Sequence, residues 1–160
     1  MTESLAVTRR LHTETDATNI LDHFNGFHDG FIKDLSLHSY DFFEREGPEV
    51  TDIAHRCTGR FDVVIAIAHY NYQRGTQPHD RVVRCLFRGV KDFYWDLREV
   101  KSYEWPITVV EIRPGQRQIE HGGMESCFSL VLSWSKLVDN QWSERREHVL
   151  TFQEAEFSEH

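Results

Sequence analysis

The sequence predicts an α+β domain, mostly antiparallel β: a sandwich or open barrel of about seven strands with one N-terminal helix. Three observations predict it. Helical periodicity appears once, near the start of the chain. Runs with a period of two then follow, separated by Gly-, Pro- and Asn-containing breaks. No helical pattern lies between those runs, which argues against parallel βαβ units. An aromatic content of 12%, with 11 Phe, 5 Tyr and 4 Trp, points the same way, because aromatics suit a pleated, half-buried surface.

Residues 1–12 are polar with scattered Leu5, Val7 and Leu11, and read as a loose end or a weak edge strand. Thr13-x-x-Asp16 resembles a capping box with the shorter acid, so a helix starts near Thr13 or Thr15. Ile20, Leu21, Phe24 and Phe27 recur at helical spacing and form its buried face, with Gly26 as the C′ residue. From Gly30 the period changes. Phe31, Lys33, Leu35 and Leu37 alternate with Ile32, Asp34, Ser36 and His38, with Lys33 an exception on the apolar side. Tyr40 to Thr51, with its Glu44-Arg45-Glu46-Gly47-Pro48-Glu49 run, reads as a charged, turn-rich loop.

Phe61 to Tyr70 is β-branched and apolar on both faces after Asp62, the pattern of a central strand covered on both sides or of a barrel strand. Arg81 to Arg88 places Val83, Cys85 and Phe87 on one face, and Gly89 marks a bulge or a close backbone approach. Val90 to Leu97 is an aromatic segment, either strand or one helical turn. Ile107 to Arg113 is a strand, stopped by Pro114-Gly115, with Gln116 to His121 pairing back as a hairpin. Phe128, Leu130, Leu132 and Trp134 then alternate with Ser129, Val131, Ser133 and Ser135. His148 to Phe152 is the last strand, before an acidic tail. The domain is therefore single, 1–160, with loose ends at about 1–12 and 154–160.

Composition limits function. Asp+Glu 26 against Lys+Arg 18 gives a net charge of −8, which argues against nucleic acid as a partner. The same charge keeps a small protein soluble and would attract a basic one. Cys57, Cys85 and Cys127 form no CxxC pair, so neither a disulfide framework nor a zinc site is signalled, and a reducing cytoplasm is the natural setting. No apolar run has the 18 or so residues of a membrane span, and no signal-peptide core is present.

Four groupings could carry chemistry. His28-Asp29, flanked by Gly26 and Gly30, could be a base with its orienting acid; equally, Asp29 could cap backbone N–H groups while His28 locks the helix onto the sheet. Ten histidines suggest metal, but no HxH, HxxxH or HExxH occurs, so a site would have to be assembled from His28, Asp29, His69 and His121. The cysteines sit in apolar strands, where a thiol is inert. Phe93-Tyr94-Trp95 with Trp105 is either core or a binding patch. Phosphate loops and nucleophile elbows are absent, and no cofactor is implied.

Phe27-His28-Asp29-Gly30-Phe31-Ile32-Lys33-Asp34-Leu35 resembles the F-H-D-[small]-x-[apolar]-x-x-[apolar] signature that opens the sheet in small, mostly β bacterial families, the Imm50-like predicted immunity proteins among them. Val83 to Val90 resembles the apolar-F-x-G-V strand that follows in such chains. Gly30 departs from the commoner Ala or Ser. The resemblance implies a protein that binds a cognate toxin rather than a catalyst, and the acidic balance would suit a basic, nuclease-like toxin. The expected function is thus a non-enzymatic cytoplasmic binding protein, with His28, Asp29, Tyr94 and Trp95 as contact residues. The alternative is a small-ligand-binding β-barrel or an enzyme using His28 and Asp29 in a pocket.

Overall fold

The computed structural model describes residues 7–27, 30–45, 53–56, 58–69, 81–94, 109–119, 121–134, 137–138, 141–142 and 146–159. Its strands are β1 (Thr8–Leu11), β2 (Phe31–Ser39), β3 (Phe42–Arg45), β4 (Ile53–Arg56), β5 (Phe61–His69), β6 (Arg81–Val90), β7 (Asp92–Tyr94), β8 (Val109–Gln118), β9 (Met124–Trp134), β10 (Leu137–Val138), β11 (Gln141–Trp142), β12 (Arg146–Phe152) and β13 (Glu154–Glu159). One helix, α1 (Glu14–His23), lies between β1 and β2. All the pairings are antiparallel.

Two main sheets carry the fold, one in the order β1-β13-β6-β5-β2 and the other β7-β12-β9-β8. They are joined where two neighbouring strands turn a corner together. β6 passes into β7 through Lys91, and β12 into β13 through Gln153. Backbone bonds stitch the bend: Gln153 N–H donates to Arg88 O (3.0 Å) and Lys91 N–H to Thr151 O (3.4 Å). On the opposite side α1 packs on the two edge strands β1 and β8. A shared corner and a bridging helix therefore replace barrel closure. The segments outnumber the seven expected because each corner strand is split in two and two short hairpins, β3–β4 and β10–β11, are added.

The core lies between the sheets. Val63, Ile65 and Ile67 of β5, Val83, Cys85 and Phe87 of β6, and Leu130, Leu132, Leu150 and Phe152 opposite are all buried. Phe87 meets Phe152 edge to face at 4.8 Å across the two layers. The outer face of β5 is only half covered, since Val64 and Ala66 keep some exposure.

The capping box forms as the spacing predicts: Asp16 N–H donates to Thr13 Oγ1 (3.1 Å) and Thr13 N–H to Asp16 Oδ2 (2.9 Å). Ala17, Ile20 and Phe24 are its buried residues. The helix ends one residue earlier than Gly26 implies. Asn25, Gly26 and Phe27 all have positive φ (52°, 59° and 52°), so the chain reverses through three left-handed residues. The His28-Asp29 pair that follows lies outside the described residues.

Five expectations are corrected. First, a bulge between Ile32 and Asp34 shifts the phase of β2, so Ile32 joins Leu35 and Leu37 opposite Ile67, Ile65 and Val63, and Lys33 is released to solvent. Second, Pro114-Gly115 does not end a strand. β8 runs straight through it, because β8 is an edge strand and Pro114 needs no donor on its open side. The turn comes at Ile119–Gly123, closed by Ile119 N–H to Gly123 O (2.9 Å). Third, the acidic tail is β13, an interior strand between β1 and β6. Its acids face outward, with Glu156 ion-paired to Arg10 and Arg88, while Ala155 and Phe157 fill the core. Fourth, of the two readings of the start, loose end or weak edge strand, the edge strand holds for Thr8–Leu11, which pairs with β13 as β1 and is anchored by fully buried Leu11. Fifth, the loop from Tyr40 contains β3, paired with β4 in a small hairpin.

Candidate functional site at the sheet corner

The corner requires close backbone packing, and its polar side chains do the packing. Gly89 has φ +62° and a Cβ there would meet Gln153 Oε1 at 2.4 Å, so the Gln153 amide lies where a side chain would be. Gly89 N–H donates to Asp62 Oδ1 (3.3 Å), and Tyr40 Oη–H donates to Asp62 Oδ2 (2.6 Å). That bond to Asp62 pushes the Tyr40 phenol above its ordinary pKa. From the other side Gln153 Nε2 donates to Glu125 Oε2 (2.8 Å) and Arg117 Nε to Glu125 Oε1 (2.7 Å), with Lys91 Nζ at 3.8 Å from the same oxygen. Glu125 is thus held below its ordinary pKa, first by the Arg117 hydrogen bond. The register makes this pairing inevitable: Arg117 and Glu125 are cross-strand partners on β8 and β9.

Beside this network lies a solvent-open cavity of about 500 Å³, lined by Tyr40, Thr58, Arg60, Lys91, Ile119, His121 and Glu125. None of these was singled out from sequence except His121. They come from four separate stretches, so no local pattern joins them.

Next to the cavity stands the β3–β4 hairpin. Phe42 and Phe43 are adjacent, so they point to opposite faces, and both are exposed (52% and 76%). Tyr40 and Leu37 extend the apolar surface. The hairpin base is tied by Thr58 N–H to Asp41 Oδ1 (2.8 Å), by His55 Nε2 at 3.4 Å from Asp41 Oδ2, and by Arg56 Nε to Glu44 Oε2 (2.8 Å). The signal was present as Tyr40-x-Phe42-Phe43, but the charged run beside it read as loop.

His28, Asp29 and Trp95 lie outside the described residues, as do Trp105 and Cys57. Phe93 and Tyr94 separate: Phe93 packs against the core at 6.4 Å from Phe61, while Tyr94 points outward and is 61% exposed. His69 is buried with its ring 5.3 Å from Phe24 and 5.9 Å from Phe27. It ends β5, whereas His121 faces the cavity beside Arg60, just before β5 begins, roughly 25 Å away along an extended strand. His69 and His121 are therefore too far apart to share one ion. Cys85 and Cys127 are buried, and burial raises both thiols above their ordinary pKa, which leaves them protonated. No helix among the described residues is long and apolar enough to cross a membrane. Comparison of the chain with protein-family models, curated proteins and solved structures gives no match.

Proposed function

We propose that this chain is a non-enzymatic binding protein that grips a protein partner with the β3–β4 hairpin and the adjoining end of β2. The observation that carries the reading is the exposure of Phe42 and Phe43 on opposite faces of a hairpin outside both main sheets, continued by Tyr40 and Leu37. Aromatic side chains left in water at adjoining positions are costly unless a partner covers them, and they dominate binding energies where one does. The net charge of −8 supports a basic partner, because long-range attraction raises its rate of encounter. The FHD-type resemblance supports an immunity-like role against such a partner in the cytoplasm. The buried, protonated thiols add no nucleophile to the surface.

The test uses the whole chain and a Phe42→Ser, Phe43→Ser double variant. A basic protein recovered with the wild-type chain is purified and titrated calorimetrically against both. The double variant should lose at least about 2 kcal/mol of binding, roughly 30-fold, with its thermal melt unchanged. Equal affinity for both chains would remove the hairpin from the interface.

A further inference from the structure

We infer that the corner cavity is a binding site for a small oxyanion group, phosphate or carboxylate, held by Arg60, Lys91 and His121. The inference is independent of the hairpin reading. Four observations carry it.

The first is shape. A volume of about 500 Å³ lies within the range of small-ligand sites, and the walls come from four places: the end of β2, the start of β5, the corner and the β8–β9 turn. The second is local charge. The chain carries 26 acids to 18 bases, yet the cavity presents Arg60, Lys91 and His121 against a single lining carboxylate, Glu125. The third is that two of the nearby acids, Asp62 and Glu125, are already engaged. Asp62 accepts from Tyr40 and Gly89, and Glu125 accepts from Arg117 and Gln153. The side chains of Arg60 and His121, by contrast, have no hydrogen-bond or ion-pair partner among the described residues, and that of Lys91 has only the 3.8 Å approach to Glu125.

The fourth observation is Arg117. Its side chain is more than nine-tenths buried, its Nε is spent on Glu125, and Nη1 and Nη2 have no hydrogen-bond partner among the described residues. A buried guanidinium with two unmet nitrogens is expensive. Glu125, the carboxylate on the cavity wall, is shared among Arg117, Gln153 and Lys91, so its charge is already countered. Tyr40 marks the rim: its hydroxyl proton is committed to Asp62, which leaves its oxygen as an acceptor and its ring as the wall. The chemistry is recognition of an oxyanion by charge-assisted hydrogen bonds, with no bond made or broken.

The test is titration of the isotopically labelled full chain with inorganic phosphate and, separately, sodium acetate at constant ionic strength, followed by amide shifts of Gly89, Lys91 and His121. Saturable shifts at these positions are expected with one or both anions, and which one acts identifies the group. In an Arg60→Gln, Lys91→Gln variant the affinity should fall at least about tenfold while the melt is kept. Arg60→Gln alone, an exposed residue, gives the same direction should the double variant lose its fold. The inference is overturned if neither anion gives saturable shifts up to about 50 mM, or if the variants bind as tightly as wild type.

Discussion

Thr13 shows how much a single side chain can commit. Its hydroxyl accepts from Asp16 N–H while Asp16 accepts from Thr13, so two otherwise orphaned donors are satisfied before α1 begins. Thr13→Ala should cost about 1 kcal/mol in a denaturant melt. The Asp16 carboxyl is held below its ordinary pKa, chiefly by the Thr13 hydroxyl. Its stabilisation is therefore present above the ordinary carboxylate range and lost as the pH falls through it. The difference in stability between wild type and Thr13→Ala should shrink below about pH 4, and a pH-independent difference would remove the charge from the account. A few residues on, Phe27 sits at φ 52°, a strained place for a bulky side chain. Its full burial and its stacking at 5.0 Å on Phe24 offset that strain. Gly30 closes the same corner: a Cβ there would lie 2.8 Å from Phe27 O and 3.1 Å from Ala68 O, both backbone atoms that have little freedom to move. Gly30→Ala should cost about 2 kcal/mol by chemical denaturation, because the new atom must displace main chain rather than a flexible side chain.

At the scale of the element, β8 is the most instructive strand. Pro-Gly is a strong turn signal in a sequence, and it fails here because of where the strand lies. An edge strand has one side with no ladder to donate to, and a proline there removes only a bond that was never made. It also blunts the edge against pairing with another chain. Pro114→Val should leave the melting free energy within about 0.5 kcal/mol of wild type but increase self-association, read by light scattering at matched concentration. Unchanged scattering would show that the edge is protected by other means. The β2 bulge is the matching case on the other sheet. One extra residue turns an apparent pattern error, Lys33 on the apolar side, into two regular half-strands with a solvent-facing lysine between them. A pattern with one misfit is the sequence trace of a bulge.

For the molecule as a whole, the last strand decides the architecture. β13 lies inside the first sheet, so the end of the chain must return before β1 and β6 have a common neighbour. Phe157 is buried against Phe24, Phe27 and Phe87, with ring centroids 6.4, 6.3 and 5.9 Å away, and so joins helix, corner and sheet. Phe157→Ala should cost about 3–5 kcal/mol and lower the thermal midpoint by many degrees. A loss under about 1 kcal/mol would mean that the segment is indeed the loose tail its composition suggests.

The sequence by itself determined the class of fold, the capping box that places the helix start to within two residues, the inward faces of β6 and β9 and one face of β5, and the special backbone at Gly89, read as a bulge or a close approach. Each rests on local periodicity or on a cap within four residues, and such signals survive without knowledge of neighbours. It was also enough to show alternation in Ala155 and Phe157, had their acidic neighbours not masked it. Only the tertiary structure decided which strands are edges, that Pro114 continues β8, that two strands share a corner, and that Arg60, Lys91, Ile119, His121 and Glu125 face one cavity. Those residues span more than sixty positions of chain. They meet because two strands bend side by side, and the position of that bend is set by packing across the sheets rather than by any stretch of residues read alone.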